Sequence, residues 1–248
     1  MMIEKFPQQK KLLSIIVPVY NEKHTINKIL NKILKIKINK EIIVVNDGSF
    51  DGTKAQLKKF SKKKNIKIIN LNQNYGKGYA IRKGLKKVSG KIIIIQDADL
   101  EYDPNDYKKL IKPILNKSFK FVIGSRVLTN KITRRPPGLI FKALVFVNKL
   151  FSILMSFTLN QKITDPQSCY KVFTSDIAKK FHLKENGFSF CNELIFNIHK
   201  MGIKIKEVPI SYNGRSYKDG KKIKLSDGIK MFIYILKNII LINLKKII

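Results

Sequence analysis

Two aspartates one residue apart, Asp97 and Asp99, with Glu101 two further on, follow directly on the apolar run Ile92-Ile93-Ile94-Ile95. Three carboxylates at that spacing offer hard oxygen ligands for Mg²⁺ or Mn²⁺, and such an ion can in turn grip a pyrophosphate. The stretch also reads as a solvated turn, because Asp103-Pro104 has the form of a helix start. Other polar groups recur where apolar runs end: Pro18-Val19-Tyr20-Asn21-Glu22, Asn46-Asp47-Gly48-Ser49 followed by Asp51-Gly52-Thr53, and Asn74-Tyr75-Gly76-Lys77-Gly78. Taken singly, Asn46 to Thr53 makes a turn with an N-cap, while Gly76 and Gly78 allow close packing or a positive φ. Taken together they resemble a nucleotide pocket. Gly76-Lys77-Gly78 lacks the third glycine of a dinucleotide fingerprint, and no Gly-Lys-Ser/Thr occurs, so dehydrogenase and P-loop readings fall behind.

These groups need a sheet to bring them to one edge. Strands are expected near Leu12 to Val17, Ile42 to Val45, Ile66 to Leu71, Ile92 to Ile95 and Phe121 to Ile123. Helical periodicity fills the gaps, near Thr25 to Leu34, Thr53 to Lys62, Tyr79 to Val88 and Asp106 to Leu115. Successive β-α units of this kind make a parallel, right-handed sheet, and such sheets bind ligands beyond the carboxyl ends of their strands. After Arg126 the pattern changes. A Pro136-Pro137-Gly138 break is followed by a long amphipathic segment, a turn-rich stretch around Asp165-Pro166, a helix near Asn192 to Met201, a short strand near Ile203 to Val208 and a basic loop.

The chain has 248 residues, 44% of them hydrophobic, enough for one α/β domain or a domain with an appendage. Its 50 Lys plus Arg against 17 Asp plus Glu give a formal net charge of +33. Nucleic acid, an anionic membrane surface and a compositional bias toward Lys, Ile and Asn compete to explain that excess. The lysines are spread along the chain without a basic arm or interleaved aromatics, which argues against nucleic acid. Cys169 and Cys191 are the two cysteines, and three scattered histidines lack ligand spacing, so neither a disulfide framework nor a zinc site is indicated. The first eleven residues, with Glu4 and Pro7 and no apolar core, do not read as a signal peptide. Leu139 to Leu159 and Ile229 to Ile248 come near membrane character, but lysines and asparagines interrupt both. Neither reads as a clear transmembrane span. Each suits a helix lying in the membrane interface, or equally a core-packing helix.

The order of motifs resembles the family 2 glycosyltransferases of the GT-A fold: Ile15-Ile16-Val17-Pro18-Val19-Tyr20-Asn21-Glu22, Val44-Val45-Asn46-Asp47-Gly48-Ser49, Gly76-Lys77-Gly78, Asp97-Ala98-Asp99 and Gly124-Ser125-Arg126. Within that family the chain is most similar to the dolichyl-phosphate or polyprenyl-phosphate hexose synthase branch. Thr164-Asp165-Pro166-Gln167-Ser168-Cys169-Tyr170-Lys171 and Ile205-Lys206-Glu207-Val208-Pro209-Ile210 carry that likeness, with Arg215, Gly220-Lys221-Lys222-Ile223 and Asp227-Gly228 further on. The resemblance implies a Rossmann-like, mostly parallel α/β sheet flanked by helices. It implies a transferase domain over 1–225, with a nucleotide-sugar half at 1–126 and an acceptor half at 127–225, and a C-terminal amphipathic helix at 226–248.

By resemblance, Pro18, Tyr20, Glu22, Asn46, Asp47, Lys77 and Asp97 bind the nucleotide-sugar, Asp97, Asp99 and Glu101 hold Mg²⁺ or Mn²⁺, and Arg126 faces the phosphates. Three positions depart from the pattern: Asn46 stands where Asp is common, Glu101 where Gln is common, and Cys191 where an acidic residue often precedes Glu193. A divalent cation would stabilise the departing diphosphate, and a lipid-phosphate acceptor, already an anion, would need no general base. Arg126, Lys142, Arg215 and Lys221 are the candidates to hold that acceptor phosphate. If the acceptor were instead a sugar hydroxyl of a polysaccharide or glycolipid, Asp165 would be the natural base, although an Asp before Pro also serves as a turn former. The expected setting is the cytoplasmic face of a membrane, bound peripherally to an anionic surface through surface contact or through a membrane-protein partner.

Overall fold

In the computed structural model, residues 11–129, 132–134, 139–216 and 219–247 are described. In chain order the elements are β1 (Leu13–Val19), α1 (Ile26–Lys35), β2 (Lys40–Asn46), α2 (Thr53–Lys58), β3 (Ile66–Asn70), α3 (Lys77–Leu85), β4 (Ile92–Ile95), α4 (Tyr107–Leu115) and β5 (Phe121–Ser125). They continue with β6 (Ile132–Arg134), α5 (Leu139–Leu159), β7 (Lys171–Thr174), α6 (Ser175–Ala178), α7 (Phe190–Lys200), β8 (Ile205–Pro209), β9 (Tyr212–Asn213) and α8 (Leu225–Ile247). Every residue of β1, β2 and β4 is buried, as an apolar run without polar alternation requires when helices cover both faces.

The main sheet has the order β3-β2-β1-β4-β7-β5-β8, and β6 pairs with β9 in a separate two-stranded ribbon. The chain proceeds from β1 outward to β2 and β3, then returns to place β4 on the other side of β1. The strand order therefore reverses between β1 and β4, and the crevice beyond their carboxyl ends is where such sheets take ligands. Residues 18–22 and 96–101 flank that point.

The sheet is mostly parallel, as expected, with one strand reversed. β7 runs antiparallel to both neighbours, β4 and β5. Its four residues begin with a fully buried lysine, Lys171, so neither length nor alternation marks the segment as a strand. β8, from the later half of the chain, pairs in parallel with β5, so one sheet runs through both proposed halves.

α5 and α8 pack on each other, with the rings of Phe151 and Phe232 stacked 6.3 Å apart. Phe151, Met155 and Leu159 of α5 and Met231 and Ile235 of α8 are buried. The outward faces carry Phe146, Ile153, Phe157, Ile229, Ile233 and Ile240, all exposed. Among the described residues, no helix is long and apolar enough to cross a membrane.

Candidate active site

The turn after β4 is fixed from below. Gln96 is buried and its Oε1 accepts hydrogen bonds from the Tyr107 and Tyr170 hydroxyls, both at 2.7 Å, while its Nε2 donates to the Asp97 carbonyl at 2.9 Å. Leu100 takes a left-handed φ of 66°, uncommon for a branched side chain and typical of functional turns. Asp99 Oδ1 accepts the Glu101 N–H at 3.1 Å and closes that turn. The arrangement sends Asp97 and Asp99 toward the reversal point of the sheet.

Each aspartate meets a cation from elsewhere in the chain. Lys77, the first residue of α3, places Nζ 2.7 Å from Asp97 Oδ1. Burial alone would push the Asp97 carboxyl up, but Lys77 outweighs it and holds the group below its ordinary value. Arg215 Nη2 lies 3.2 Å from Asp99 Oδ2 and 2.9 Å from Glu22 Oε1, and Lys222 Nζ bonds both Glu22 and the Asn21 carbonyl. Despite Arg215, burial and the nearby charges of Asp97 and Glu101 push the Asp99 carboxyl up to about 7. Asp99 therefore holds a proton more readily than an ordinary carboxyl.

Asp97 and Asp99 fit a divalent cation: both are hard oxygen donors, and Mg²⁺-type ions are held by one or two carboxylates with substrate phosphates completing the shell. Glu101 departs from its expected place in a three-carboxylate cluster. Its Oε2 accepts the Tyr212 hydroxyl and its Oε1 the Arg215 N–H, both at 2.9 Å, so it anchors the segment that carries Arg215. Among the described residues no group of three acidic, His or Cys side chains could hold a metal ion.

Arg126, just past β5, is gripped by Asp165. Its Nε and Nη2 donate to the two carboxylate oxygens, both at 2.7 Å, and its backbone N–H donates at 2.9 Å. The guanidinium also lies over the Tyr212 ring, 5.2 Å from its centroid. Burial opposes ionisation of Asp165, yet Arg126 holds its carboxyl below the usual range. Asp165 is fully buried and both its oxygens are engaged by Arg126, so in this arrangement it orients the guanidinium.

Glycines 76 and 78 make close packing possible. A Cβ on Gly76 would sit 2.5 Å from the Asn186 carbonyl oxygen, and one on Gly78 2.3 Å from that of Glu185. Gly76 also has φ +102°. The Asn186 carbonyl accepts the N–H groups of Gly78 and Tyr79, which caps the amino end of α3 with protein and leaves the charge of Lys77 to face the crevice.

Of the expected nucleotide-binding residues, Pro18 lies within β1, and the Tyr20 ring contacts Phe50 edge-on at 6.1 Å, with Phe50 80% exposed. Asn46 and Asp47 are both buried and committed to the scaffold. Asn46 donates to Asn70 at 2.9 Å and accepts from the Ser49 N–H, while Asp47 accepts the N–H groups of Tyr75 and Gly76. Lys221 lies near enough to Glu101, Arg126, Asp99 and Arg215 to feel their charges, and burial lowers its ammonium group from the ordinary value. Lys142 lies on α5, but its side chain falls outside the described residues. Sequence reasoning missed Lys222 and Tyr212 as site residues. Lys222 stands in the basic loop already singled out, whereas nothing in its sequence context marks Tyr212.

Residues 14–181 match the glycosyl transferase family 2. A dolichyl-phosphate beta-glucosyltransferase of Trichomonas vaginalis is 32% identical over 91% of this chain and 72% of its own length. A UDP-N-acetylglucosamine–dolichyl-phosphate N-acetylglucosaminyltransferase of Methanococcus voltae is 29% identical, over 91% of this chain and 95% of its own. Among solved structures, glucosyl-3-phosphoglycerate synthase from Mycobacterium tuberculosis, in complex with Mn²⁺, uridine diphosphate and glucosyl-3-phosphoglycerate, has a TM-score of 0.69. It is 19% identical, over 92% of this chain and 80% of that one, a likeness of fold. With its motifs in order along a mostly parallel sheet flanked by helices, the chain belongs to glycosyl transferase family 2.

Proposed function

We propose that this chain transfers a hexose from a nucleotide-diphospho-sugar, of the GDP-mannose or UDP-glucose type, to a polyprenyl phosphate at a membrane surface. The observation that carries this reading is the pair Asp97 and Asp99 at the reversal point of the sheet, with Lys77 on the first and Arg215 on the second. The names of the dolichyl-phosphate relatives support the acceptor class. Asp97 and Asp99 would hold Mg²⁺ or Mn²⁺, which when bound supplies positive charge to the leaving diphosphate. Lys77 adds a point charge on the same side. Arg126, oriented by Asp165, presents a planar fork suited to phosphate. Arg215 and Lys221 complete a cationic wall for the acceptor, with Lys142 as a further candidate. An acceptor phosphate is already anionic near neutral pH, so no carboxylate has to take up a proton.

Direct displacement at the anomeric carbon gives inversion. A transferase acting on a sugar hydroxyl would need a free base, and the engagement of both Asp165 oxygens by Arg126 weighs against that reading. The exposed apolar faces of α5 and α8 suit peripheral attachment to an anionic membrane on its cytoplasmic side, alone or beside a membrane-protein partner. The test is transfer from UDP- and GDP-hexoses to a short-chain polyprenyl phosphate with Mn²⁺, with the product linkage read by NMR. A β-linked lipid-phosphate sugar from an α-linked donor supports the reading. An α-linked product, or transfer to sugar hydroxyls alone, would overturn it.

A further inference from the structure

The loop 164–168 is clamped by two charged side chains that do not face each other. From β8, Glu207 accepts the Thr164 N–H and hydroxyl, both at 2.8 Å, through Oε2, and the Asp165 N–H at 3.0 Å through Oε1. From the other side the buried Lys171 donates to the Pro166 carbonyl at 3.1 Å and to the Ser168 carbonyl. Thr164 Oγ1 also lies 2.7 Å from Ser125 Oγ, beside the residue that Asp165 grips. Glu207 is half-buried and spends both carboxylate oxygens on three donors of this one loop, which ties the backbone at Thr164 and Asp165 to β8.

We propose that Glu207 is a positioning residue for phosphate binding: it fixes the backbone at Thr164 and Asp165, and through Asp165 it sets the plane of the Arg126 guanidinium. The register supports this, because Glu207 lies opposite Ile123, three residues before Arg126 on the neighbouring strand. Carboxylate oxygens match three donors converging from one direction. The amide of Gln would turn its NH₂ group toward one of them and leave a donor unmet. Lys171 holds the far end of the loop, so a change at Glu207 would be felt at Asp165 first.

This inference rests on the reading of Arg126 as a phosphate-binding group, and the experiment separates the two. Glu207→Gln, Arg126→Lys and the double variant are compared for acceptor KM, kcat and donor affinity, using a short-chain polyprenyl phosphate and the preferred nucleotide sugar. An unmet donor loosens the loop at Asp165, so Glu207→Gln is expected to raise the acceptor KM about tenfold with donor affinity little changed. The double variant should be no worse than the stronger single one, as for residues acting in one chain. Additive losses, or equal losses for donor and acceptor, would overturn the proposal. If Arg126→Lys is silent while Glu207→Gln is not, the role of Arg126 fails together with the relay. Independently of turnover, the Arg126 Nε–H proton, read by ¹⁵N NMR, should exchange faster in Glu207→Gln, and an unchanged exchange rate would also overturn it. Thr164→Val, which removes one of the three donors and keeps the shape, should show the same direction with smaller effect should Glu207→Gln fail to fold.

Discussion

Arg215 lies 3.2 Å from Asp99, its guanidinium reaching across from the segment after β9 to the turn after β4. The same guanidinium bonds Glu22 at the end of β1, so a single cation ties together both sides of the sheet's reversal point. Among the described residues it is the cation that pairs with Asp99. A divalent ion at Asp99 would therefore compete with the Arg215 guanidinium for the same carboxylate.

Arg215→Gln removes that competitor. Without a nucleotide present, Mn²⁺ is expected to bind the variant severalfold more tightly than the wild type, measured from the free-ion signal in electron paramagnetic resonance. Acceptor KM should rise in the same variant, because Arg215 also belongs to the cationic wall. Unchanged Mn²⁺ affinity would separate Arg215 from the cation site.

The Arg126–Asp165 pair makes a prediction for acid stability. The Asp165 carboxyl is held below its ordinary value, so its stabilising contribution is fully present above the unfolded carboxyl pKa of about 3.9 and is lost as pH falls through the folded value. Asp165→Asn should lose about 3–5 kcal/mol near neutral pH, as expected when one partner of a buried pair is removed. The deficit relative to wild type should shrink below about pH 4. Urea unfolding between these limits measures both, and a pH-independent deficit would contradict the account.

Gly78→Ala places a methyl group 2.3 Å from the Glu185 carbonyl oxygen and 2.9 Å from Phe190 Cβ. Overpacking of this kind costs about 1–3 kcal/mol. Gly187→Ala is the control, since a Cβ there meets nothing within 4 Å. Calorimetry should show a lower Tm for the first and little change for the second, and donor affinity should fall with the first because Lys77 is displaced.

Replacing Phe146 and Phe157 together by Glu should weaken sedimentation with anionic vesicles by about tenfold or more. The two side chains are 69% and 89% exposed, so the Tm should hardly move. Unaltered vesicle binding would rule out the outward face of α5 as a membrane contact.

Much of this architecture was legible in sequence because it rests on uninterrupted apolar runs. β1, β2 and β4 announce themselves by their hydrophobic residues, and the acids and glycines that follow mark the strand ends. β7 was not legible, since a buried lysine opens it and its neighbours in the sheet come from distant parts of the chain. At the site, the types of Asp97, Asp99, Lys77 and Arg126 pointed to their surroundings. The second carboxylate layer did not. Spacing alone cannot tell a carboxylate that faces the crevice, such as Asp99, from one that holds backbone, such as Asp47, Glu101 or Glu207, because that depends on which distant N–H groups the fold brings to each.

The central claim, that Asp97 and Asp99 draw an activated sugar into the crevice through a divalent ion, is tested most directly by calorimetric titration of UDP- and GDP-hexoses with Mn²⁺ or with EDTA. Wild type is expected to take up one of these donors with Mn²⁺ and to lose most of that affinity in EDTA, and Asp99→Asn to bind weakly in both. Equal donor affinity in Mn²⁺ and EDTA, unchanged by Asp99→Asn, would contradict it.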